Sequence, residues 1–98
     1  MPDERQRIDK FLWFARFART RSLAQKLVTS GHVRINKRKI DNAAAPVAIG
    51  DVLTIATAGT VRVVRIAALA ERRAGAPEAR LLYQDITHPT EPQSKIEE

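Results

Sequence analysis

The residues with most chemistry to offer are cations set close together, with hydrogen-bond donors between them. Arg21, Gln25 and Lys26 fall on one side of a helical pattern, which puts charge and directional donors on a single face. Arg16 and Arg19 come just before that helix, and Arg34, Lys37 and Arg38 just after it. Arginine grips a phosphate in two places, whereas lysine supplies a less oriented charge. The start of the helix adds unpaired backbone N–H groups, which favour an anion. Folded onto one surface, these groups would read the shape of a phosphate backbone better than a base sequence.

Charge distribution points the same way. Residues 1–40 carry eleven cations against Asp3, Glu4 and Asp9, a surplus of +8, while residues 41–98 carry six cations against eight acids, or −2. The net charge of +6 therefore comes wholly from the first part of the chain, and such asymmetry implies a polyanionic partner, nucleic acid before an anionic membrane.

Other chemistries find little support. Ser22, Ser30 and the two histidines form no nucleophile–base–orienter set. No glycine-rich phosphate loop is present, and Asp9, Asp41, Asp51 and Asp85 are scattered over separate elements. His32 has no second ligand at metal spacing, and there is no cysteine, which excludes disulfides and thiolate zinc sites. The chain is read as a non-enzyme without cofactor or metal. Its N-terminus, Met1-Pro2-Asp3-Glu4-Arg5, lacks an apolar leader, and no apolar run nears the roughly 20 residues of a membrane span. A cytoplasmic monomer with no membrane partner is expected.

The elements that must position these residues follow from periodicity. Residues 1–6 read as a flexible polar lead-in. Ile8, Phe11, Leu12, Ala15 and Ala18 recur at helical spacing, predicting a helix from Asp9 to about Ala18. Asp9 suits its first turn. Trp13 and Phe17 are read as packing residues in preference to base-stacking ones. A second helix, Arg21 to Ser30, has Thr20 as its N-cap, with Ser22 the competing choice, and Gly31 at its left-handed C-terminal position. Leu23, Ala24, Leu27 and Val28 form its apolar stripe. The period then changes to two: Val33 and Ile35 predict a strand, Asn36 to Lys39 a tight turn, and Ile40 a return segment. Strands follow over Val52 to Thr57 and Val61 to Ala67, the latter with a phase slip at Val63-Val64 that predicts a bulge. Glu71 to Glu78 reads as a loop and Ala79 to Gln84 as a last strand with Leu81 and Tyr83 on one side. An acidic tail over 87–98 is expected to be disordered. The fold class is α+β: two N-terminal helices packed on a small, mostly antiparallel sheet.

Three segments in combination, Arg7-Ile8-Asp9-Lys10-Phe11-Leu12, Thr20-Arg21-Ser22-Leu23-Ala24 and Gly31-His32-Val33-Arg34-Ile35-Asn36, resemble the S-four (alpha-L) RNA-binding domain, with residues 7–57 carrying its helix-loop-helix and hairpin motif and 7–86 the whole unit. Lys10 to Phe17, Glu71-Arg72-Arg73 and Leu81-Leu82-Tyr83 resemble more narrowly the small bacterial heat-shock family of about fifteen kilodaltons. That resemblance implies binding to ribosomal RNA, on free large subunits still holding a nascent chain and tRNA, in rescue after failed translation. It also implies RNA contacts at Arg7, Lys10, Arg16, Arg19, Thr20, Arg21, Ser22, Gln25, Lys26, Arg34, Asn36, Lys37 and Arg38. Two departures stand out. The domain's usual Asn-Gly turn is Asn36-Lys37, and the chain ends in acids where relatives often continue into a basic extension. Similar domains also occur on pseudouridine synthases and methyltransferases, so the alternatives are an RNA-targeting partner of an RNA-modifying enzyme and a general nucleic-acid binder that includes DNA.

Overall fold

A computed structural model of the chain describes residues 4–57 and 59–87. The acidic tail from His88 onward, and Met1 to Asp3, lie outside the described residues. The element order is β1 (Gln6–Arg7), α1 (Ile8–Phe14), α2 (Arg21–Thr29), β2 (Val33–Ile35), β3 (Arg38–Lys39), β4 (Pro46–Val47), β5 (Val52–Thr57), β6 (Thr60–Ile66), α3 (Ala76–Ala79), a 3-10 turn (Arg80–Leu82) and β7 (Tyr83–Asp85). Five strands form an antiparallel sheet in the order β3-β2-β5-β6-β7, and β1 pairs separately with β4. This is the α+β architecture expected.

Helix α1 ends at Phe14, four residues before the periodicity does. The cause is local. Arg16 takes the left-handed region (φ 65); its N–H reaches the Trp13 carbonyl at 3.1 Å, and the Phe17 N–H reaches the Leu12 carbonyl at 2.9 Å. That pair of bonds is the Schellman closure. Ala15 and Ala18 are still buried, because the closure folds them under the helix end. The same closure ends α2: Gly31 (φ 81) and His32 donate to Val28 and Leu27. Thr20 is the N-cap, its Oγ1 accepting from Leu23 N at 3.1 Å. Ser30 falls just outside the helix, as its C-cap.

The core lies between the helices and one face of the sheet. Ile8, Phe11, Leu12 and Phe14 of α1 meet Ala24 and Val28 of α2 over Val33, Ile35, Leu53, Ile55, Val64 and Ile66. Trp13 and Phe17 are half-buried against it. Leu23 does not join it: 48% of its surface is exposed, so the buried stripe of α2 is narrower than expected.

Five further expectations are corrected. The hairpin turn is only Asn36-Lys37, with Ile35 opposite Arg38, so the return strand begins at Arg38, two residues before Ile40. Gln6, expected in a flexible lead-in, pairs with Val47 and donates to the Ala70 carbonyl at 2.7 Å. Strand β6 has no bulge: its register to β5 is unbroken from Val52↔Arg65 to Thr57↔Thr60. The apparent phase slip arises because Arg62, on the face of Val64 and Ile66, covers the rings of Phe17 and Tyr83, with its Cζ 4.9 Å and 5.8 Å from their centroids. Residues 79–82 are helical, not extended, since Pro77 fixes a helical φ at the start of the turn. Leu81 consequently points outward, 72% exposed, and Leu82 inward. Thr87, placed in the tail by the sequence, bonds to the edge of β6 at Val63.

Candidate nucleic-acid interface

The site is organised by a buried carboxylate. Asp9 has no exposed surface, and a buried carboxylate needs several partners to remain ionised. Arg7 supplies two, from Nε to Oδ1 at 3.1 Å and from Nη2 to Oδ2 at 3.0 Å. Gln25 Nε2 donates to Oδ2 at 3.0 Å, and the Lys10 N–H to Oδ1 at 2.7 Å. Arg21 Nε stands 3.6 Å from Oδ2, beyond hydrogen-bond length; charge alone holds it over the acid. Burial pushes the Asp9 pKa upward, but the hydrogen bonds from Arg7 and Gln25, the Arg7 charge and the Lys10 N–H outweigh it and hold the carboxyl below its ordinary range. Asp9 thus ties β1, α1 and α2 together and sets three of the sequence-predicted residues, Arg7, Arg21 and Gln25, side by side.

Ser22 and Lys26 follow on the outer face of α2, about 100° round the helix from Arg21 and Gln25, and both are exposed. Arg19 and Thr20 precede that face. The Arg21 and Ser22 N–H groups at the helix start have no intrahelical acceptor. On the other flank, Arg38 shares a groove with Arg5 between β3 and β4, so cations run from the hairpin along the N-terminal strand to α2. Arg5 was missed by sequence reasoning, since nothing in the sequence pairs β1 with β4.

Three predicted contacts sit differently. Arg34 is exposed between buried Val33 and Ile35, which puts it on the sheet face turned away from the helices. Asn36 is engaged in structure: its Nδ2 donates to Asp51 Oδ1 at 3.1 Å and its Oδ1 accepts from Val52 N at 2.9 Å. Arg16 donates through Nε to the Ala74 carbonyl at 3.0 Å, and with Arg73, whose Nε donates to the Trp13 carbonyl at 3.2 Å, it clips the 71–82 segment onto the end of α1. The side-chain roles of Asn36 and Arg16 were hidden because each partner lies 15 or more positions away.

The hairpin turn is a two-residue turn despite the missing glycine. Asn36 (φ 50) and Lys37 (φ 73) both take the left-handed region, as a two-residue hairpin turn of this hand requires, so the ammonium is carried at the tip at some conformational cost.

Electrostatically the face is predominantly basic, although Asp51 lines the groove of Arg5 and Arg38. Residues 4–40 hold two acids, Glu4 and Asp9, and Asp9 is buried. Among the described residues, Lys10, Arg16, Arg19, Lys26, Arg34, Lys37 and Arg38 have no acidic partner within salt-bridge distance. The described residues contain no cluster of potential metal ligands and no helix long and apolar enough to cross a membrane.

Comparison with known proteins agrees with this arrangement. The S4 domain family model matches residues 6–53. The chain is similar to a heat shock protein 15 homolog of Haemophilus influenzae, 39% identical over 85 residues, which span 87% of this chain and 64% of that protein. It is similar also to heat shock protein 15 of Escherichia coli, 34% identical over 90 residues, 92% of this chain and 67% of the relative. A structure described as trimeric heat shock protein 15 of Vibrio cholerae superposes with a TM-score of 0.78 at 38% identity, covering 84% of this chain and 82% of the other. A basic α1–α2–hairpin unit on an antiparallel sheet, shared at this identity over most of the chain, places the protein in the heat shock protein 15 family of S4-domain proteins.

Proposed function

We propose that the chain is a non-enzymatic RNA-binding protein that grips folded ribosomal RNA through the α1–α2 face and the adjoining hairpin. The single observation that carries this is the burial of Asp9: the acid is withdrawn into the core, where it aligns Arg7, Arg21 and Gln25, and the flanking cations Lys10, Arg19 and Lys26 have no acidic partner among the described residues. Phosphate oxygens complete such a surface. The exposed set is Arg19, Ser22, Lys26, Lys37 and Arg38, joined by Arg5 and by the half-buried Lys10. Arg16, Arg34, Thr20 and Asn36 act as peripheral or positioning residues.

Within that reading, the partner is the free large ribosomal subunit carrying a nascent chain and tRNA, and the role is rescue after failed translation in the cytoplasm; membership of the heat shock protein 15 family supports it. The expected monomer stands against the trimer in which the Vibrio cholerae relative was solved, and sedimentation equilibrium decides between them.

Charge reversal at Arg19 and Lys26 tests the site. Neither touches Asp9, so the fold is preserved, whereas reversal at Arg21 would set a second carboxylate beside a buried one. The double variant is expected to lose co-sedimentation with large subunits while keeping its circular dichroism. Undiminished co-sedimentation would refute the assignment of this face. Competition between structured RNA and duplex DNA at one salt concentration separates RNA recognition from general nucleic-acid binding.

A further inference from the structure

Among the described residues, no element closes the side of α2 that carries Leu23 and Leu27, and Leu23 is 48% exposed. With Phe17 and Ala18 these side chains line an open hollow of about 440 Å³, within the roughly 300–1,000 Å³ typical of small-molecule sites. Its walls are apolar, yet Arg19 and Lys26 stand at the rim, and Ser30, His32 and Thr57 supply polar groups at one end. Among the described residues no acid lines it, and neither rim cation has an acidic partner.

We propose that this hollow receives the base of one unpaired nucleotide of the bound RNA, with Arg19 and Lys26 on the phosphates that flank it. The inference rests on the RNA reading above and adds a specificity site to it. A nucleobase has apolar faces and a polar edge, and the hollow has apolar walls and a polar end. A base is attached to phosphates, and the cations stand at the mouth. Proteins that discriminate RNA sequence do so mostly on unpaired, splayed-out bases, and a phosphate-gripping face alone carries no such discrimination. A second copy of this chain is the competing occupant, given the trimer in which the Vibrio cholerae relative was solved, and the test below separates the two.

The test uses the full chain and three synthetic RNA hairpins: one with a single-nucleotide bulge, one with the same bulge lacking its base, and one fully paired. Wild-type protein is expected to bind the base-bearing bulge roughly tenfold more tightly than the abasic one. Leu23→Ser, at a half-exposed position that tolerates a polar side chain, removes that difference and leaves the salt dependence unchanged; Leu23→Met restores it. Equal affinity of wild type for both bulges, with salt-dependent binding intact, would overturn the base site and leave the RNA face standing. A Leu23→Ser variant that sediments as a smaller species and still discriminates the base would assign the hollow to self-association instead. Absence of salt-dependent binding to any hairpin would contradict the RNA reading itself.

Discussion

Asp9 is the residue on which both stability and the binding face depend. Its carboxylate is surrounded by partners that are useful only while it is ionised. Removing it by Asp9→Ala strips Arg7 and Gln25 of their acceptor; because the Arg7 and Arg21 side chains stay 45% and 37% exposed, the cost is that of lost charge-assisted hydrogen bonds, about 1.5–3 kcal/mol, a large share of a small domain's stability. Chemical denaturation of the variant should show a midpoint lowered accordingly; an unchanged midpoint would mean the carboxylate is not the tie. The same residue predicts acid sensitivity. Its pKa is lowered on folding, so its contribution is complete above the unfolded value of about 3.9 and is lost as pH falls through the folded value. Asp85, drawn down to about 2 by hydrogen bonds from Thr87 and then by Arg62, acts in the same direction at the far edge of the sheet. Stability measured from pH 5 downward in wild type and Asp9→Asn should converge as acid is added; parallel curves would contradict the linkage. At this scale the sequence was a partial guide. Asp9 was legible as a first-turn acid, but its partner Gln25 lies sixteen positions on, a distance that no local pattern spans.

Among the elements, the ends of α2 were the most legible and short strands the least. Thr20 and Gly31 announce the limits of α2 by residue type, and Thr20→Ala should lower stability by about 1 kcal/mol, readable in a thermal melt. Arg16 and Lys37 occupy left-handed positions without being glycine. The left-handed region costs an L-residue roughly 1–2 kcal/mol, so Lys37→Gly should raise stability by about 1 kcal/mol while weakening RNA binding through the lost cation. A variant both less stable and tighter-binding would reverse that account. Arg16 was invisible as a helix terminator for this reason: a terminator is normally read from glycine or asparagine, and here the backbone hydrogen bonds to Trp13 and Leu12 do the work. Strands β1 and β4 escaped notice because two residues carry no periodicity. The 79–82 segment was misassigned because alternating Leu81 and Tyr83 mimic a strand, while the helical start set by Pro77 overrides them.

For the whole molecule, charge asymmetry and fold class were readable from composition and pattern, and the comparisons bear out the family. What composition could not supply was facing. The cations do not all converge: Arg34 lies behind the sheet, while Arg5 joins the front through the pairing of β1 with β4. A face of this kind binds by displacing counterions, so affinity must fall as salt rises, by about 0.7–0.9 log units per log unit of salt for each phosphate contacted.

The most direct measurement is therefore a salt titration of binding to a large-subunit ribosomal RNA fragment, comparing wild type with Arg19→Gln/Lys26→Gln/Lys37→Gln and with Arg34→Gln. The account predicts that the triple variant loses roughly two units of slope and that Arg34→Gln loses little. A slope near zero for wild type, or a larger loss from Arg34 than from the three front-face cations, would contradict it.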